Sequence, residues 1–130
     1  MSSLEILASI GLLGVLAAVI HILVAKPVIG SATLAAALSL GFGAYSLLTI
    51  AREGVALVWE NHTTNLWGVQ VWWDLLFAVG IALFFIAPRA RKVGMSMLPW
   101  ILFVAATASI GLLAMIARLF WLEGRSETAS

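Results

Sequence analysis

Four long runs of apolar residues fill most of this chain and leave it few ways to fold. A helix that crosses a bilayer needs about 20 consecutive, mostly apolar residues. Residues 4–25, 32–59, 66–87 and 98–122 each supply such a stretch, the second as a core to about Ala51 with an apolar extension to Trp59. The breaks between them are short and polar. Lys26 and Pro27 close the first, Gly30 and Ser31 can cap the second, and Glu60-Asn61-His62-Thr63-Thr64-Asn65 reads as a polar loop. Pro88 is expected to end the third run, and Ser96 with Pro99 to open the fourth. The expected fold is an all-α integral membrane protein. It is a four-transmembrane-helix bundle of up-down topology over residues 1–122, with a polar, mobile tail over residues 123–130.

Composition narrows the function. The chain is 63% hydrophobic and 10% charged, whereas soluble domains carry roughly 25% charged residues. It lacks the polar surface that water demands. With no cysteine, disulfide scaffolds, thiolate metal sites and thiol redox chemistry are excluded. A net charge of +1 gives no reason to expect a nucleic-acid partner. There is no HExxH, no Gly-rich phosphate loop, no Walker lysine and no supported Ser–His–Asp arrangement. No enzyme activity, cofactor or metal is therefore expected; Glu60 and His62 alone are too few to hold an ion. The first run carries Glu5, lacks a positive leader and is too long for a secretory signal, so it reads as a retained helix.

Basic loops set the expected orientation. Lys26 and the Arg89, Arg91, Lys92 cluster fall on one side of a four-span bundle, which is then cytoplasmic. Both termini and the 60–65 loop are expected outside, with Arg52, Arg118 and Arg125 lying towards the outer side against the trend. Trp59, Trp67, Trp72, Trp73 and Trp121 would form an outer aromatic belt and Trp100 an inner one.

Asp74, in Val-Trp-Trp-Asp-Leu-Leu, is the carboxylate that this fold must accommodate. An aspartate at the centre of a spanning helix costs about 2.5–3.5 kcal/mol on insertion scales. If the second helix continues to Trp59, Arg52 and Asp74 lie at the same depth on sequential antiparallel helices. Arg118, one turn before Trp121, is the other candidate partner. With Glu53 the four charges sum to zero, and Gln70 shares the face of Asp74. The expected site is thus a structural intramembrane cluster of Asp74, Arg52, Arg118, Glu53 and Gln70. The alternative is that Gly54 breaks the second helix, so that Arg52 sits at the interface and residues 55–59 lie along the membrane surface. Each run also carries a small or polar stripe suited to close helix packing, such as Gly14, Ala17, Ala18 and His21 in the first.

Several short motifs lie between residues 67 and 121: Asp74-Leu75-Leu76, the basic turn Arg89-Ala90-Arg91-Lys92-Val93-Gly94, Pro99-Trp100, the small stretch from Ala105 to Gly111, and Arg118. In these the chain resembles an uncharacterised bacterial family of small multi-pass membrane proteins, a domain of unknown function. The resemblance implies no activity, but it singles out Asp74 and Arg118. It departs at Ala108-Ser109-Ile110-Gly111, where a proline is missing.

The expected function is that of a small accessory subunit of a larger complex in a bacterial inner membrane, in contact with membrane lipids. A transport assembly is the favoured host. Arginine over lysine and abundant alanine hint at a GC-rich bacterial source; composition does not single out a host, and a lipid importer of the mammalian-cell-entry type is only one example. The alternative is an autonomous proton-coupled transporter or hydrophobic-ligand binder that uses Asp74.

Overall fold

The computed structural model describes residues 2–26 and 29–130, so Pro27, expected to close the first run, lies outside the described residues. Among the described residues the fold is all-helical, with six helices: α1 (Ser3–Val24), α2 (Ala32–Glu53), α3 (Ala56–Thr63), α4 (Leu66–Lys92), α5 (Met97–Thr107) and α6 (Ser109–Thr128). Three of them, α1, α2 and α4, are long and apolar enough to cross a membrane.

The helix starts follow local chemistry. At α1, Ser2 and Glu5 form a reciprocal capping box. The Ser31 hydroxyl accepts from the Leu34 N–H at the start of α2, and the Asn65 side chain accepts from the Gly68 N–H at the start of α4.

Three ends differ from expectation. The second run does not continue to Trp59. Gly54 takes φ 81°, a conformation open to glycine, and α2 stops at Glu53. The remainder becomes the separate short helix α3. Pro88 does not end the third run but lies inside α4, where it removes one helical hydrogen bond and crowds the carbonyl of Phe84. Helix α4 goes on for one more turn, to a glycine stop at Gly94 (φ 80°). There the N–H of Met95 donates to Ala90 O (2.9 Å) and that of Gly94 to Arg91 O (3.0 Å), which closes the terminal carbonyls. Residues 123–128, expected as tail, belong to α6.

The fourth run departs furthest. It is two helices folded back on each other, not one span. Ala108 adopts φ 51°, ψ −115° and reverses the chain between α5 and α6. A Cβ placed on Gly111 would lie 2.9 Å from both Phe103 O and Val104 Cα of α5. In one continuous helix, residues 104 and 111 would be roughly 10 Å apart along the axis. The reversal carries the rest of α6 back beside the end of α4, where Arg89 meets Glu123. Helix α5 is only about 16 Å long, half of a hydrocarbon layer of about 30 Å.

The core is small and belongs to this hairpin. Ala90, Met95, Val104, Met115 and Leu119 form its buried cluster, with Trp100, Leu112 and Phe120 packed around them. Helix α2 runs antiparallel to α6. Ser39 Oγ donates to Ile110 O (2.8 Å), Gly43 approaches Ile110, and the Phe120 ring fills the space over Gly30. No residue of α1 is buried.

Gly111 is where the hairpin is most sensitive. We expect Gly111→Val to force α5 and α6 apart and to cost about 1–3 kcal/mol, the usual range for overpacking. Denaturation in mild detergent measures it, and a variant as stable as the parent would contradict the close crossing.

Candidate functional site

The reversal at Ala108 sorts the charged residues into two ends. One end gathers the start of α2, the α4–α5 turn and the last turns of α6. It carries Lys26, Arg89, Arg91, Lys92, Arg118 and Arg125. The opposite end holds the α2–α3–α4 connection, with Arg52, Glu53 and Glu60.

The five residues expected as one cluster do not come together. Among the described residues the one salt bridge is Arg89–Glu123. Asp74, Gln70, Arg52, Glu53 and Arg118 are all exposed. Two breaks explain the outcome. Gly54 ends α2 before the register between Arg52 and Asp74 can be set. The turn at Ala108 takes Arg118 to the basic end, beside Ala32, Thr33 and Ala36, while Asp74 stays near the other end, in the third turn of α4.

Asp74 also faces away from the remainder of the chain. The face of α4 turned to its neighbours at this level carries Trp72, Leu75, Leu76 and Val79. At about 100° per residue, Asp74 and Gln70 lie on the opposite face. That outward face also carries the exposed Trp67, Phe77 and Ile81.

An apolar cavity of about 530 Å³ occupies the level that a fourth span would have filled. Its floor is the hairpin tip (Thr107, Ala108 and Ile110), and Ser46, Trp59 and Trp72 contribute to its walls. The tip satisfies itself at the turn: Thr107 Oγ1 donates to Phe103 O (2.8 Å) and accepts from the Gly111 N–H (2.9 Å). Helix α3 closes over α4 through aromatic contacts. Trp72 meets Trp59 edge-on with centroids 6.3 Å apart and His62 at 5.3 Å, while His62 Nδ1 also lies at hydrogen-bond distance from Val58 O. Gly68 admits α3, since a Cβ there would strike the backbone of Asn61 and His62.

At the basic end, Arg89 grips Glu123 with two parallel bonds, Nε to Oε1 at 2.9 Å and Nη2 to Oε2 at 2.6 Å, and also lies over the Phe120 ring. A second cavity, between Ile29, Arg89, Lys92, Glu123 and Glu127, opens beside this pair. On the opposite side of α6, Arg118 and Arg125 lie over the ring of Trp121, 4.5 and 4.6 Å from its centroid.

Sequence reasoning missed the Arg89–Glu123 pair because Glu123 was assigned to a tail. The sign was present: Leu119, Leu122, Glu123 and Ser126 keep a helical spacing beyond the expected end. The spacing of Arg118, Trp121 and Arg125 likewise places them on one face.

The chain matches no model of a known protein family, no curated protein and no solved structure. The resemblance over residues 67–121 therefore rests on its short motifs alone.

The Arg89–Glu123 pair ties α6 to α4 at its exposed rim, with side chains 50% and 17% exposed. In that setting a pair contributes about 1 kcal/mol or less. We expect Glu123→Arg to loosen the last turns of α6 and the exchanged pair Arg89→Glu with Glu123→Arg to restore them. Amide hydrogen exchange over residues 119–128 reads this, and equal protection in the single and the exchanged variants would contradict it.

Proposed function

We propose that this chain is an accessory subunit of a larger integral membrane assembly, resident in the inner membrane of a bacterium. The observation that carries the reading is Asp74. It is exposed, joined by a salt bridge to none of the described residues, and on the face of α4 turned away from the other helices. It lies about 12 Å along α4 from Leu66, within the apolar stretch. A carboxylate placed in hydrocarbon finds a partner or disfavours insertion. With Gln70 one turn before it, the natural complement is a basic or amide side chain on another protein. Helix α1 supports the same reading, since a 22-residue apolar helix with no buried residue keeps its whole surface for lipid or for a partner. A transport assembly, lipid importers included, remains the class of host favoured by the sequence.

The proposal includes a topology: three crossings, α1, α2 and α4, and a hairpin, α5–α6, that enters and leaves on one side. Of seven Lys and Arg, only Arg52 falls at the end away from the hairpin's mouth. That asymmetry makes the basic end cytoplasmic. The N-terminus is then outside and the C-terminus inside, in place of both termini outside. Arg118 and Arg125, contrary on a four-span reading, join the majority, and Trp121 joins Trp100 in the inner belt.

A second reading has one observation in its favour. The cavity above the hairpin tip has the size and lining of a site for an apolar ligand. Asp74 is on the other face of α4 and takes no part in it, so the cavity lends no support to a proton-coupled role for that residue.

Two experiments test the proposal. The chain has no cysteine, so single cysteines report cleanly. A membrane-impermeant maleimide should label Ser2→Cys in intact cells, and Thr128→Cys only after permeabilisation. Labelling of Thr128→Cys in intact cells would restore the four-span arrangement. For the assembly, tagged protein drawn from native membranes in mild detergent should carry larger membrane proteins with it. Asp74→Leu should lose them while still inserting at the parental level. Recovery of the parent only as free monomer or homodimer would sink the subunit reading.

A further inference from the structure

The end of α6 is divided by charge. Glu123 and Glu127 lie on the side that faces Arg89 and Lys92 across the cavity at the α4 terminus. Arg118, Trp121 and Arg125 lie on the other side, at successive turns of one face. Glu123 is committed to Arg89, and neither Arg118 nor Arg125 forms a salt bridge among the described residues. Both guanidinium groups are instead held over one indole, at 4.5 and 4.6 Å. The ring contact holds each group in place, and neither guanidinium donates a hydrogen bond among the described residues, so their N–H groups are free for an acceptor.

Directly beside them is a groove of about 540 Å³, floored by Ala32, Thr33, Ala36 and Ala117 and walled by Arg118 and Trp121. It is a shallow depression between α2 and α6, where alanines leave the surface low. A pair of unsatisfied, pre-positioned arginines at the mouth of an apolar groove is complementary to a molecule with an anionic head and a hydrocarbon body. Phosphate suits the head, because guanidinium groups bind it through paired, charge-assisted hydrogen bonds. An indole at the head-group level fits the same placement.

We infer that the α2–α6 groove binds one anionic phospholipid of the cytoplasmic leaflet, its phosphate held by Arg118 and Arg125 and one acyl chain lying over Ala32, Ala36 and Ala117. The site rests on the membrane orientation proposed above but not on the subunit reading, and it differs from the basic turn at Arg89–Lys92. Arg118, singled out by the sequence as a partner for Asp74, becomes a lipid ligand.

Purified protein reconstituted with spin-labelled lipids tests it. The parent should hold phosphatidylglycerol in preference to phosphatidylcholine. Arg118→Gln and Arg125→Gln should each lower that preference about five-fold, and the double variant by more than ten-fold. Arg91→Gln with Lys92→Gln removes two charges from the same end and should leave most of the preference intact. Millimolar inorganic phosphate should not displace the lipid. The inference is overturned if the parent shows no preference, a result that needs no variant to fold. It is equally overturned if the Arg91/Lys92 variant loses as much as the Arg118/Arg125 variant, which marks a diffuse basic surface. Displacement by phosphate would mark a free-anion site instead.

Discussion

A chain that reverses inside an apolar layer frees backbone donors and acceptors where no water is at hand to take them. Here part of the demand is met within a few residues. Thr107 bridges the turn, donating to Phe103 O and accepting from the Gly111 N–H, while the Ala108 N–H still reaches Val104 O and the Ala108 carbonyl accepts from Leu112. Gly111 lets the two backbones touch so that Val104, Met115 and Leu119 can close over one another. These contacts lower the cost of the turn relative to a straight helix.

From the turn follows the distribution of charge. Returning α6 brings Glu123 to Arg89 and sets Arg118 and Arg125 on Trp121, so that six of seven basic residues share one end. The same return empties the level beside Trp59 and Trp72, which becomes a cavity between α2, α3 and α4. The basic side chains and the cavity beside Trp59 and Trp72 are thus set at opposite ends of a short chain by one backbone reversal.

Much of this was legible in the sequence, where local chemistry decides. The Ser31 cap and the three long apolar helices follow from residue type and run length, whereas Glu60 to Thr63, expected as part of a polar loop, form the second half of α3. The break at Gly54 was one of two options, and only the neighbourhood of α3, packed through His62 and Trp72, selects it. The reversal at Ala108 was not legible, because alanine carries no turn signal and the flanking residues are as apolar as a span. Once that turn was missed, the depth assigned to Arg118 was wrong, and with it the partner offered to Asp74. Pro88 misled in the opposite sense: the residue most often read as a stop sits one turn inside α4. The motif that truly ends the helix is Gly94.

A hairpin that turns back halfway also changes what the cell must move across the membrane while the protein is made. With the basic end retained, as proposed above, the polar segment between crossings to be translocated is the connection around α3, which brings the single basic side chain Arg52 with Glu53 and Glu60. Arg89, Arg91, Lys92, Arg118 and Arg125 never leave the side of synthesis. On that topology α5 and α6 enter the bilayer without crossing it, and no crossing remains to be made once α4 is in place.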